Sequence, residues 1–230
     1  MLKLQYLLRA PAETPAADFA AQAHDRAARL LDDDPAGLKL TLTAADPPRL
    51  CLVPFKRTRV ALFSVWDDDP AAAPRWTGRV LATGAGAWAG YRVAESAPRR
   101  YPRDWPDGAP TPGVGLLTRL TRRRGLADAE YLRRWHEGHS TLALEVHPLW
   151  GYVRNVIEAP VLDGTPPCDG IVEEQFREAR DLLTPWGLFG GAVAMLPNMA
   201  RVGVDLLGLL DLRALESWLV SELWLRTPPA

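Results

Sequence analysis

The stretch YLRRWHEGHS at residues 131–140 holds two of the chain's four histidines, His136 and His139, three positions apart. An imidazole titrates close to neutral pH, so such a pair can carry protons or ligate a metal. Later segments add groups that could orient an imidazole or a substrate: Tyr152 and Asn155 in GYVRNVIEA, and Glu173 beside Glu174 in DGIVEEQF. A stable metal site needs three or four ligands. Neither Cys51 nor Cys168 lies near the histidines, and no further HxxE or HxxH pattern accompanies them, so no metal is expected.

The element that positions these histidines reads as an amphipathic helix from Asp128 to Val146. It must end near His147-Pro148, because proline disfavours helix at the residue before it. At about 100° per residue, Tyr131, Trp135 and His139 form one stripe. His136 falls about 60° away from His139, beside Arg133 and Glu137, towards the polar side. His139 is thus expected to face the sheet, where a polar imidazole must find a partner. Two readings stand: a core histidine bonded to a backbone carbonyl or to Glu173, or a half-buried proton carrier beside a carboxylate. Along the two later strands, Tyr152, Arg154 and Val156 oppose Val153, Asn155 and Ile157, and Ile171, Glu173 and Gln175 oppose Val172, Glu174 and Phe176. At least one of Glu173 and Glu174 is expected to be solvated.

The chain divides into halves of similar order. LKLQYLLRA (Leu2 to Ala10), GLKLTLTA (Gly37 to Ala44), VALFSVWD (Val60 to Asp67) and GYRVAESA (Gly90 to Ala97) read as strands. A helix carrying Phe19, Ala23 and Leu30 follows the Thr14-Pro15 start signal, and a weaker one spans Ala71 to Ala82. After the Pro- and Gly-rich stretch APRRYPRDWPDGAPTPG come strands at Gly113–Arg123, Gly151–Ala159, Asp169–Phe176 and Ser217–Arg226, with a helix at Arg177–Leu183 besides the one at 128–146. Each half is β-α-β-β-α-β, the ferredoxin-like order. The expected class is α+β, with tandem ferredoxin-like repeats closing into an intrachain pseudo-dimeric α/β barrel. The expected units are residues 1–98, a linker at 99–112, and 113–230. A shift of about 112 residues lays Phe19 on Tyr131 and Ala27 on His139, so any histidine chemistry occurs once per chain.

The second half resembles an EthD domain, a family within the dimeric α/β-barrel group. The residues that carry the likeness are the segment RRRGL (Arg122 to Leu126), Tyr131, Trp135, His139, Tyr152 with Asn155, and DGIVE (Asp169 to Glu173). Two positions depart from the family pattern. His139-Ser140-Thr141 stands where it has His-x-Pro, and Ala127 stands where it has Ser after Gly-Leu. The first half shares only the order of elements. The resemblance implies a pocket with His139, Glu173 and Asn155 as its chemical groups and Tyr131, Trp135 and Tyr152 as its walls. Some relatives in the wider barrel group bind haem, for which His139 would be the axial ligand, yet nothing in the sequence requires it.

Composition limits what such a pocket serves. With 27 Lys and Arg against 28 Asp and Glu, no basic field exists to hold nucleic acid or an anionic membrane. Two distant cysteines suit free thiols in a reducing compartment, and the first residues lack a secretion signal, so a cytoplasmic setting is expected. GAGAWAG (Gly84 to Gly90) reads as a flexible turn and does not match GxGxxG; no GxSxG elbow or P-loop occurs, so no cofactor is expected. The segment Leu182–Leu210 carries only Arg201 and Asp205 as charges, but Pro185, Pro197 and glycines interrupt it. It reads as a buried loop and short helix, an apolar lid, or a subunit interface in an oligomer. The functional expectation is a cofactor-independent enzyme that moves protons on an aromatic or polyketide-type molecule, by cyclisation, dehydration or isomerisation. The alternative is a non-catalytic small-molecule binder or accessory oligomer in which the histidine is structural.

Overall fold

In LKLQYLLR, Leu2, Leu4, Tyr6 and Leu8 alternate with Lys3, Gln5 and Leu7, and the two sets meet different surroundings. The first set joins a core beneath helices, while the second turns into a barrel. The computed structural model describes residues 1–43, 45–84 and 86–229. Its strands are β1 (Leu2–Arg9), β2 (Gly37–Thr43), β3 (Val60–Asp67), β4 (Ala87–Arg99), β5 (Val114–Leu120), β6 (Gly151–Pro160), β7 (Gly170–Phe176) and β8 (Glu216–Arg226). They close in the order β1-β3-β2-β8-β5-β7-β6-β4, and every ladder is antiparallel. Each half contributes four adjacent strands in ferredoxin-like order, and the halves join at two seams, β2 with β8 and β4 with β6. The barrel therefore closes within one chain, as the repeat order implied.

Helices α1 (Ala16–Leu31) and α2 (Ala73–Ala82) cover the first half. Phe19, Ala23, Ala27 and Leu30 make the inward stripe of α1, and Trp76 and Val80 that of α2. The second half is covered by α3 (Asp128–Arg133), a π-helical segment (Arg134–His139) and α4 (Ser140–Val146), which run continuously. Helices α5 (Ala179–Leu183), α6 (Pro185–Leu188) and α7 (Met195–Leu209) form the insertion before β8. Among the described residues, no helix is long and apolar enough to cross a membrane. Cys51 and Cys168 are free.

Two local expectations change. The strand expected to reach Ala44 is observed to Thr43, and Ala44 lies outside the described residues, as does Ala85 of the GAGAWAG stretch. That stretch is not simply a turn: β4 begins at Ala87, because Ala89, Gly90 and Tyr91 pair with β1. The absence of a side chain at Gly90 lets the strand lie against Tyr6 and Leu162, each 3.1 Å from where a Cβ would stand.

Candidate functional site

The barrel interior is layered. At one end Leu7, Leu62, Tyr91, Leu117, Ile171 and Trp218 form a closed apolar plug. Above it lies a buried polar layer of Gln5, Thr41, Ser64, Asn155 and Glu173. At the open end, Lys3, Lys39, Trp66, Glu95, Tyr101, Glu222 and Trp224 line a cavity of about 1160 Å³.

Strand alternation brings these groups together. Lys3 follows Leu2 on β1 and Lys39 follows Leu38 on β2, so each ammonium points inward while its leucine neighbour packs under the helices. Lys39 Nζ lies 2.7 Å from Glu173 Oε2 and 3.1 Å from Glu222 Oε2. Lys3 Nζ donates to Asn155 Oδ1 at 2.7 Å, and it lies 2.9 Å from Glu95 Oε2 and 3.7 Å from Glu173 Oε1. Glu173 also accepts from Gln5 Nε2, Asn155 Nδ2 and Thr41 Oγ1. Glu222 accepts from Tyr101, Thr111 and Trp224. The Trp66 and Trp224 rings stack at 5.3 Å, with the Lys3 ammonium 4.5 Å from the Trp66 centroid and that of Lys39 4.9 Å from the Trp224 centroid.

This network sets the protonation states. Burial alone would raise the Glu173 carboxyl, but Lys39 and Lys3 outweigh it and hold it down at about 2. Burial also opposes ionisation of Glu95, and Lys3 reverses that effect and lowers it. Burial lowers Lys3, with Glu173 and Glu95 countering only in part. For Lys39, burial acts the same way but Glu173 and Glu222 prevail, so it is raised. Burial, followed by the charge of Glu222, pushes Tyr101 up to about 12. One buried acceptor in the polar layer, Gln5 Oε1, has no hydrogen-bond partner among the described residues.

Of the residues singled out in the sequence, Glu173 and Asn155 are in this network, 3.2 Å apart, whereas His139 is not. The reason is the π-helical segment. Its wider turn inserts one extra residue between inward positions: the buried residues are Tyr131, Trp135, Ser140, Ala143 and Val146. Ser140 occupies the place a regular helix would give His139, and its hydroxyl donates to Trp135 O at 2.7 Å. His139 is turned aside to α7, where Nδ1 lies 2.6 Å from Asp205 Oδ2. It lines neither the barrel cavity nor the cleft of about 240 Å³ beside Asp205. Glu173, on the inner face of β7, is not its partner.

Tyr131, Trp135 and Tyr152 are buried together in the core between the helices and the outer face of the sheet, and they do not line the barrel cavity. Gly170 leaves room for the Trp135 ring: a Cβ there would stand 2.4 Å from the indole. Tyr152 Oη lies 3.2 Å from Ser140 Oγ, which also accepts from Arg154 at 2.8 Å. His136 is half-buried rather than turned to water, and its Nε2 has no hydrogen-bond partner among the described residues. Of the Glu173-Glu174 pair, Glu173 is buried and Glu174 is half-buried on the helix-facing side of β7, so neither is fully exposed. Burial pushes Glu174 up to about 7, against a smaller opposing effect of His139. Among the described residues, no group of three or more His, Cys, Asp or Glu side chains could hold a metal.

Sequence inspection passed over Lys3, Lys39, Glu95, Tyr101, Glu222 and the two tryptophans. A signal was present in LKLQYLL and GLKLTLT, where polar residues alternate with leucines and so collect on one face of each strand.

No family model and no curated protein matches the chain. A solved structure shares its fold. An anthrone oxidase-like protein aligns with a TM-score of 0.50 at 9% identity, over 100% of this chain and 95% of that one. A chlorite dismutase-like protein aligns at 0.46 and 10% identity, over 97% and 94%. The architecture is a pseudo-dimeric α/β barrel of two ferredoxin-like halves, closed within one chain.

Proposed function

We propose that this protein binds an aromatic or polyketide-type small molecule in the open end of its barrel and moves protons on it with its own side chains. One observation carries the reading: a cavity of about 1160 Å³ places the Trp66 and Trp224 rings beside buried ammonium and carboxylate groups. Flat apolar walls with a few fixed polar atoms suit a planar ligand bearing oxygen substituents. The fold is shared with a protein described as anthrone oxidase-like, a name that refers to an aromatic ketone.

The residues divide by position. Lys3 is lowered by burial, and so is a better acid towards an enolate oxygen forming at the Trp66 wall. Glu95 is at the mouth, with Trp66 Nε1 and Lys3 on the same oxygen, and takes the proton from carbon. Glu173 and Asn155 hold the two lysines in place and are positioning residues. In this reading His139 anchors α7, and Tyr131, Trp135 and Tyr152 support the sheet from outside.

A second reading, a binder without turnover, draws on one feature: Glu173 at about 2 is a poor base, and its oxygens are already engaged. Anthrone separates the two. Catalysis requires protein-dependent exchange of its methylene protons into D2O, followed by NMR and lost in Lys3→Met and Glu95→Gln. Quenching of tryptophan fluorescence without exchange supports the binder. Neither quenching nor exchange, with this and related hydroxylated aromatic ketones, overturns the assignment of the cavity to such ligands.

A further inference from the structure

We infer that the outer face of α7 is the surface on which a second copy of this chain docks, forming a closed dimer. The helix carries two apolar stripes. Val202 and Leu209 are buried, and Met199 and Leu206 pack beside them against the second-half core. Leu196, Ala200, Val204 and Leu207, spaced four, four and three apart, lie on the other side. Leu196, Val204 and Leu207 are 68%, 73% and 61% exposed, Val193 in the preceding turn 96%, and Trp186 on neighbouring α6 57%.

The charges run opposite to those of a solvated helix. Both charged residues of α7 are tied back to the body of the protein: Arg201 to Glu145 at 2.9 and 3.0 Å, and Asp205 to His139 at 2.6 Å. The exposed stripe itself is hydrocarbon, with the half-exposed Arg201–Glu145 pair at its flank. A Cβ at Gly203 would meet nothing within 4 Å, which leaves a notch for side chains of an approaching helix.

Size and charge select the occupant. The five exposed side chains present roughly 600–700 Å², beyond the usual largest patch of a monomer and close to the ~800 Å² each partner gives to a standard interface. A lipid surface would call for lysines or arginines beside the apolar stripe. The cations at the stripe are instead paired with carboxylates: Arg201 with Glu145, and Arg133 and Arg134, which flank the Val204–Gly208 edge, with Glu130. Among the described residues, the first half has no helical insertion between α2 and β4 to match α5–α7, so one such face is counted per chain. A single self-complementary face closes on a twofold axis and does not propagate into a filament.

Sedimentation of the full chain tests this. The wild type is expected at about twice its 25.4 kDa at micromolar concentration. Val204→Glu and Leu207→Glu are expected at the monomer mass with unchanged far-UV circular dichroism. Leu81→Glu, at an exposed leucine on α2, is expected to leave the dimer intact. If Val204→Glu does not fold, Ala200→Arg asks the same question without removing a large side chain. A wild type that stays monomeric at high micromolar concentration overturns the inference, as does a dimer that survives Val204→Glu. Co-sedimentation of monomeric protein with vesicles of zwitterionic and anionic phospholipids, lost in Val204→Glu, also overturns it and assigns the face to lipid.

Discussion

Lys39 Nζ, from the first half of the chain, lies 2.7 Å from Glu173 Oε2, from the second, and both side chains are buried. The pair spans the barrel interior between strands that are not neighbours: β2 is separated from β7 by β8 and β5.

Removing one partner leaves the other charged and desolvated. Lys39→Met is therefore expected to cost about 3–5 kcal/mol in urea unfolding. Lys39→Met combined with Glu173→Gln is expected to cost less than the sum of the two single variants. A double variant that costs the full sum would contradict the pairing.

Glu173 also contributes to the acid limb of stability, alongside Asp67, Glu95 and Asp107, whose carboxyls are likewise lowered. Its folded value of about 2 lies below the ordinary 4.5, so its contribution is complete above 4.5 and is lost as pH falls towards 2. Glu173→Gln is expected to flatten the decline between those values, measured by thermal unfolding across that range.

Glu174 has the opposite sign. Its folded value of about 7 lies above 4.5, so its favourable effect is complete below 4.5 and is lost as pH rises through 7. Glu174→Gln is expected to unfold at higher temperature than the wild type at pH 8 and at nearly the same temperature at pH 4.5. A variant less stable than the wild type at pH 8 would refute the assigned direction.

His139→Ala removes the link to Asp205 and touches nothing in the barrel cavity. The expected outcome is faster amide exchange in α7, a loss of about 1 kcal/mol, and ligand-induced quenching at Trp66 and Trp224 equal to that of the wild type. Weakened quenching with α7 protection unchanged would return His139 to the site.

The order of elements was legible because strand alternation and helical periodicity are local, and two copies of the same order imply closure. Asn155 and Glu173 were named from the family resemblance; strand alternation put each on a face of mixed character and could not say which face turns into the barrel. The facing of His139 was not legible. It depends on one extra residue within a helical turn, and nothing in RWHEGH distinguishes a π turn from an α turn by composition. The lysines were missed for a different reason. A cation in a leucine-rich strand reads as solvent-facing until the sheet closes and that face becomes an interior.

Closure within a single chain has a consequence for the cavity. Lys3 and Lys39 stand on first-half strands, while Glu173 and Glu222 stand on second-half strands, with Glu95 on the first side offsetting part of the difference. Two identical subunits would put the same charges on both walls, and on the twofold axis the field components directed from one wall to the other would cancel. Unlike halves leave a fixed electric field across the interior, oriented before any ligand arrives, and a flat conjugated molecule placed in it would have its electrons drawn towards the lysine side.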